Sequence, residues 1–161
     1  MEINFKLMKR QKITIGSVIR LSLPCEKFGY GRILKNANYA FYDIVTASEI
    51  EDISKIISNP ILFIVSVYND AITSGRWVKI GKAPLEGTLE QLPMKFIQDA
   101  LNPSIFELYD SNTGETKKAK MSDCVGLERA AVWEAINVEE RICDHYLGRK
   151  NNWVEELRIK L

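Results

Sequence analysis

Along most of the chain, apolar and polar positions alternate in short bursts bounded by turn residues, whereas toward the end apolar residues recur every three to four positions. That change of period predicts strands first and helices last. Residues 12–23 are rich in β-branched side chains, and a turn over 24–27 leads to a second strand over 28–34, the spacing of a hairpin. Gly29 and Gly31 flank Tyr30 inside that second run; glycine there marks a bulge or a close backbone approach, as in strongly curved sheets. Residues 39–45 predict a further strand, and Ile50, Ile53, Ile56 and Ile57 predict a short helix over 49–57, ended by Asn59-Pro60. The run Ile61-Leu-Phe-Ile-Val-Ser-Val-Tyr68 reads as a buried strand, being far shorter than the roughly 18 residues that cross a bilayer. Strands follow at 76–80 and 94–97, and a second hairpin pairs 105–109 with 115–121 around Asp110-Ser-Asn-Thr-Gly114.

Helix formers dominate from residue 127 onward. A first helical stretch is expected over 127–135, and Asn137 with Glu140 has the spacing of a capping box that starts a helix at Val138. This helix carries Val138, Ile142, His145 and Tyr146 on one side and stops at Gly148; Asn152 with Glu155 repeats the cap before a last helix over 153–160. The expected fold is α+β: a curved, mostly antiparallel, barrel-like sheet with a short inserted helix and C-terminal helices.

The length of 161 residues fits one domain over 1–161, and 46% hydrophobic with 27% charged residues excludes disordered, collagen-like and coiled-coil classes. Lys plus Arg (22) nearly balance Asp plus Glu (21), so no global charge draws the chain to nucleic acid or anionic lipid, and any charged binding surface is local. Cys25, Cys124 and Cys143 cannot all pair within the chain and are too few for a disulfide scaffold, which points to free thiols and the reducing cytosol. The first ten residues alternate charged and apolar side chains without the apolar stretch of an export signal. The expected location is cytoplasmic.

The candidates for chemistry are few. Cys25, Cys124, Cys143 and His145, the only histidine, could supply three sulfurs and one nitrogen to zinc, but they lack the close ligand pairs of structural zinc sites. A catalytic pair would have to use His145, whose neighbour Asp144 diverges from it on a helix; packing beside Tyr146 is the plainer role. Gly29-Tyr-Gly31 lacks the third glycine and the following helix of a phosphate-binding loop. Basic residues cluster at Lys6, Lys9, Arg10 and Lys12 and at Lys117, Lys118 and Lys120, where a solvated terminus and a lysine-blunted sheet edge account for them as well as nucleic acid does. An RNA-binding alternative would use Tyr30, Phe41 or Trp77 as stacking platforms. Acidic residues crowd the C-terminal part, at Glu128, Glu134, Glu139, Glu140, Asp144, Glu155 and Glu156; they form either a solvated face paired with Arg129, Arg141 and Arg149 or a surface for a cationic partner.

A set of segments in fixed order is more specific than any of these. Asp70-Ala-Ile-Thr-Ser-Gly-Arg-Trp77, Ile80-Gly-Lys-Ala-Pro-Leu-Glu86, Gly126-Leu-Glu-Arg-Ala-Ala-Val-Trp133 and Val138-Glu-Glu-Arg-Ile-Cys-Asp-His-Tyr146 resemble the immunity protein 26 family of bacterial polymorphic toxin systems. The opening Ile15-Gly-Ser-Val-Ile19, Gly29-Tyr-Gly-Arg-Ile33 and Lys95-Phe-Ile-Gln-Asp99 are similar to it too. The resemblance implies a small, non-enzymatic cytoplasmic protein, without cofactor or metal, that binds and blocks the C-terminal domain of a cognate toxin, delivered by contact-dependent inhibition or a related system. It also implies packing and turn roles for Trp77, Trp133 and Trp153. The expected toxin is a nuclease, and Glu134, Glu139, Glu140 and Asp144 are the candidate toxin-binding residues, since carboxylates can occupy a site shaped for phosphates. Nucleic acid and membrane are not expected partners.

Overall fold

The computed structural model describes residues 8–161, so Lys6 of the basic N-terminal cluster lies outside the described residues. The first hairpin forms as its spacing predicts, from β1 (Ser17–Ser22) and β2 (Phe28–Ile33), and continues antiparallel through β3 (Asn38–Thr46) to β4 (Ile61–Val67). A short helix, α1 (Ile53–Ile57), interrupts the run; Asp52 starts it by accepting a hydrogen bond from the Ser54 N–H at 3.0 Å. The predicted start near Glu49 is too early because the isoleucine spacing continues upstream of the cap.

β5 (Val78–Lys82) returns to pair with β1, while β9 (Val132–Trp133) adds in parallel to β4, giving the order β5-β1-β2-β3-β4-β9. The sheet does not close into the expected barrel; β5 and β9 are its open edges. Its register shifts between Gly29 and Gly31, as the glycine pattern predicts. A Cβ on Gly31 would sit 2.6 Å from the Ala40 carbonyl oxygen of β3, so only glycine lets the strands approach there. A second sheet of β6 (Lys95–Gln98), β7 (Phe106–Tyr109) and β8 (Thr116–Ala119) follows, with Lys117 and Lys118 exposed on its edge strand.

Both faces of the larger sheet are covered, which is why β2 and the first half of β3 are buried almost without alternation. On one face Ile19, Leu21, Ile33, Tyr39, Phe41 and Val65 pack against α4 (Ala135–Tyr146) and α2 (Asp70–Thr73), with Trp77 fully buried among them. Trp77 meets Phe41 and Tyr39 edge-on at centroid distances of 5.4 and 5.9 Å. On the other face Val18, Tyr30 and Tyr42 pack on Ile56 of α1. Tyr30, Phe41 and Trp77 are 0% exposed, so the stacking platforms of the RNA-binding alternative are core residues instead.

The C-terminal elements correct three expectations. Of the helix expected over 127–135, residues 127–134 form none; they run past the second sheet, where Phe96 and Arg129 bridge, and into β9. Tertiary pairing there overrides local helix propensity. α4 begins at Ala135 rather than Val138, so Asn137 lies inside the helix and caps nothing. The last helix, α5 (Asn152–Glu156), is capped by Asn151, whose side chain accepts from the Val154 N–H at 3.0 Å, and Trp153 is 46% exposed rather than packed. One further turn of helix, α3 (Met121–Cys124), follows β8.

The two sheets are joined by a buried cation. Lys95 is 2% exposed and its Nζ donates to Asn38 Oδ1 and Ser66 Oγ, each at 2.8 Å. Burial pushes its pKa down to about 8, partly offset by the Glu128 carboxylate. An unfolded lysine titrates near 10.4, so between about pH 8 and 10 the unfolded chain binds more protons and stability rises with pH, by at most about 1.4 kcal/mol per pH unit. Cys124 opposes this, since burial raises its pKa and its contribution is lost as pH rises past the ordinary thiol range, whereas Tyr39, pushed up to about 12 by burial, loses its contribution only above about pH 10. The Lys95 part is isolated by comparing urea midpoints of the protein and its Lys95→Met variant at pH 7, 8, 9 and 10. The difference is expected to move in favour of the lysine form above pH 8, and a constant difference would contradict the buried, charge-averse lysine.

Candidate functional site

The acidic C-terminal region centres on α4, whose buried stripe is Ala135, Val138, Glu139, Ile142 and Cys143. This is the face a 3.6-residue period selects, and it contains one of the four candidate carboxylates. Glu139 is 2% exposed and receives two hydrogen bonds from Arg76, Nε at 2.7 Å and Nη2 at 2.8 Å, and a third from Trp77 Nε1 at 2.8 Å. The carboxylate raises the Arg76 pKa above its ordinary value, chiefly through these hydrogen bonds. The segment ending in Arg76-Trp77 and the one opening with Val138-Glu139 thus meet in space. Glu139 anchors α4 to the sheet and is not a surface carboxylate, which corrects its place among the toxin-binding candidates.

The other three stay outside. Glu134 and Glu140 are exposed, Glu134 at the N-cap of α4 and Glu140 one turn before Asp144. Asp144 is half-buried; it accepts from Asn151 Nδ2 at 3.0 Å and pairs with Arg149 at 3.4 Å, so it helps hold the turn between α4 and α5. Arg141, on the flank of α4, pairs in two hydrogen bonds with Glu128 at 2.7 and 3.1 Å and lies 3.8 Å over the Phe63 ring. Of the arginines expected to pair with the acidic residues, Arg129 instead donates to the carbonyls of Leu157 and Arg158 and to Gln98.

The cysteines are the largest departure. Cys25, in the turn between β1 and β2, forms a disulfide with Cys143 of α4, with the Cα atoms 6.0 Å apart and 118 residues between them in sequence. Cys124 is free and buried in a separate cluster with Phe96 and Phe106. The reading of three inert thiols therefore fails for two of them, and the four zinc candidates do not converge. His145 is exposed and stands edge-on to Tyr146 at 5.2 Å, while Asp144 bonds elsewhere, so no triad-like orientation arises. Burial, and after it the hydrogen bond that Tyr146 donates to Asp43, raises the Tyr146 pKa.

Glu140, Asp144, Arg149 and Lys150 surround a depression of about 420 Å³ whose floor includes the disulfide. This arrangement can present charge to a partner; it holds no nucleophile with an aligned base. No helix among the described residues is long and apolar enough to cross a membrane. Neither the curated proteins nor the solved structures offer a match to the chain. The family described as Immunity protein 26 (Imm26) matches residues 14–107, which carry β1 to β5 of the larger sheet, the Arg76-Trp77 anchor, β6 and the start of β7. That match spans more than half of the sequence, and the chain belongs to the immunity protein 26 family.

Proposed function

We propose that this protein acts as an immunity protein by stoichiometric binding to the C-terminal domain of one cognate bacterial toxin, a nuclease, in the cytoplasm of the cell it protects. Membership of the immunity protein 26 family carries this reading. The toxin reaches that cell by contact-dependent inhibition or a related delivery system. The exposed carboxylates Glu134 and Glu140, with Asp144 beside them, support a surface for a cationic partner, because a nuclease attracts phosphates and a carboxylate row meets the same field. Glu139 serves that surface indirectly, by fixing the helix that bears it.

The test is calorimetry against the C-terminal domain of the toxin encoded immediately upstream, together with rescue of cells expressing that domain. Nanomolar affinity, about −12 kcal/mol, with rescue is the expected result. Glu134 and Glu140 make no side-chain hydrogen bond among the described residues, so the double variant Glu134→Lys/Glu140→Lys leaves the fold intact. It is expected to slow association about tenfold or more at low salt and less at high salt. An unchanged association rate removes this surface from the interface.

A further inference from the structure

Three depressions on the C-terminal side of the molecule share walls. The mixed-charge one already described shares Arg149 and Lys150 with a second of about 440 Å³, lined by Arg141, His145, Arg149, Lys150 and Arg158 with Glu155 as its one carboxylate. The second shares Val154 and Arg158 with the largest, a groove of about 590 Å³ walled mainly by apolar side chains from α3, α5 and the segment between β8 and β9. A strip therefore runs from a zone of mixed charge, with Glu140 and Asp144 beside Arg149 and Lys150, through a mainly cationic zone to an apolar trough.

The trough is open where it matters. Val125 is 70% exposed and Met121 45%, while Trp133, Phe96 and Cys124 beneath them are at most 4% exposed. Exposed aliphatic side chains rimming a buried aromatic floor are the form of a pocket that takes an anchor residue from a protein partner. The neighbouring cations are only partly neutralised. Arg141 is taken by Glu128, Arg149 is 64% exposed beside Asp144, Arg158 is 65% exposed beside Glu155, and Lys150 has no ion pair among the described residues. A partner whose apolar anchor is flanked by carboxylates satisfies trough and cations together; a purely apolar or purely cationic one does not.

We infer that the cognate toxin domain docks along this strip, with an apolar anchor in the trough beside Val125 and carboxylates against Lys150, Arg149 and Arg158. This rests on the immunity reading above and names the part of the surface that holds the anchor. Glu140, exposed at the other end of the same strip, then meets the toxin's cationic site, so the proposal requires a toxin surface that presents its zones in matching order.

The experiment uses the full chain and the toxin domain encoded immediately upstream. Val125→Glu places a carboxylate at an exposed position of the trough, and Lys150→Glu reverses an exposed cation, so both variants are expected to keep the thermal midpoint. Val125→Glu should weaken binding at least tenfold, mainly by faster dissociation, with a less negative heat-capacity change because less apolar surface is buried. Lys150→Glu should slow association most at low salt. If the unaltered protein binds the toxin and both variants bind it within twofold of normal, the strip is not the docking surface although the immunity reading stands. Failure of the unaltered protein to bind or to rescue overturns that reading and this inference with it. If Val125→Glu instead dissociates a dimer of the protein alone and leaves toxin binding unchanged, the trough belongs to a second copy and the inference is wrong.

Discussion

Replacing Glu139 by alanine is expected to lower the thermal midpoint by roughly 6–12 °C, the equivalent of about 3 kcal/mol in a domain of this size. The side chain is 2% exposed and accepts three hydrogen bonds, and removing it strands donors of unequal importance. Arg76 keeps 38% of its side-chain surface and can turn to water. Trp77 is 0% exposed and cannot, so its indole N–H is left without an acceptor inside the core, a cost of about 1–3 kcal/mol before the lost charged bonds and the small void are counted. Breaking a buried pair from one side costs about 3–5 kcal/mol in general, and the partial exposure of Arg76 places this case at the lower end. Trp77→Phe removes the N–H while keeping most of the ring, so a double-mutant cycle of Glu139→Ala with Trp77→Phe should show coupling of at least about 1 kcal/mol. Additive losses would mean that the carboxylate holds only the arginine.

Cutting the Cys25–Cys143 crosslink is expected to cost about 2–5 kcal/mol. Chain-entropy reasoning puts the upper value near 5 kcal/mol for so long a closed loop, and strain or residual structure in the unfolded chain reduces it. Cys25→Ser should bring the urea midpoint down to that of the unaltered protein measured with dithiothreitol, and reductant should leave the variant unmoved. Thiol titration in denaturant gives an independent readout: one reactive thiol, Cys124, without reductant and three with it. Equal midpoints with and without reductant, or three thiols throughout, would mean that the bridge does not form. In a reducing cytoplasm glutathione and thioredoxin favour the dithiol, so the reduced midpoint is the stability such an immunity protein would work with.

Much of the sheet could be read from local pattern because each strand advertises itself in its own residues. The hairpin around residues 24–27, the bulge at Gly29 and Gly31, the strand at 61–68 and the turn at residues 110–114 all stand within two or three positions of where the alternation and turn chemistry place them. The C-terminal part was less legible. Leu127 to Ala135 is helix-forming in composition, yet β4 and β6 offer its backbone pairing that a helix would forgo. The acidic run changes meaning with the face that α4 buries. Val138, Glu139 and Ile142 lie together at helical spacing whichever residue starts the helix, a signal present in the sequence but hidden by placing His145 and Tyr146, both exposed, on that side in place of Ala135 and Cys143.

What the sequence determines by itself is what depends on neighbours a few residues apart: most of the order of strands and helices, the class α+β, the turn positions and the segments within residues 14–107 that mark the family. The tertiary structure alone decides which distant residues meet. Arg76 and Glu139 are 63 residues apart, Lys95 and Asn38 are 57 apart, and Cys25 and Cys143 are 118 apart. None of these pairs is encoded in any local window, because each exists only after the sheet has folded and α4 has packed across it. A carboxylate, an ammonium and two thiols have no intrinsic preference for partners; burial supplies it, since a polar group removed from water is tolerated only where another is brought to meet it.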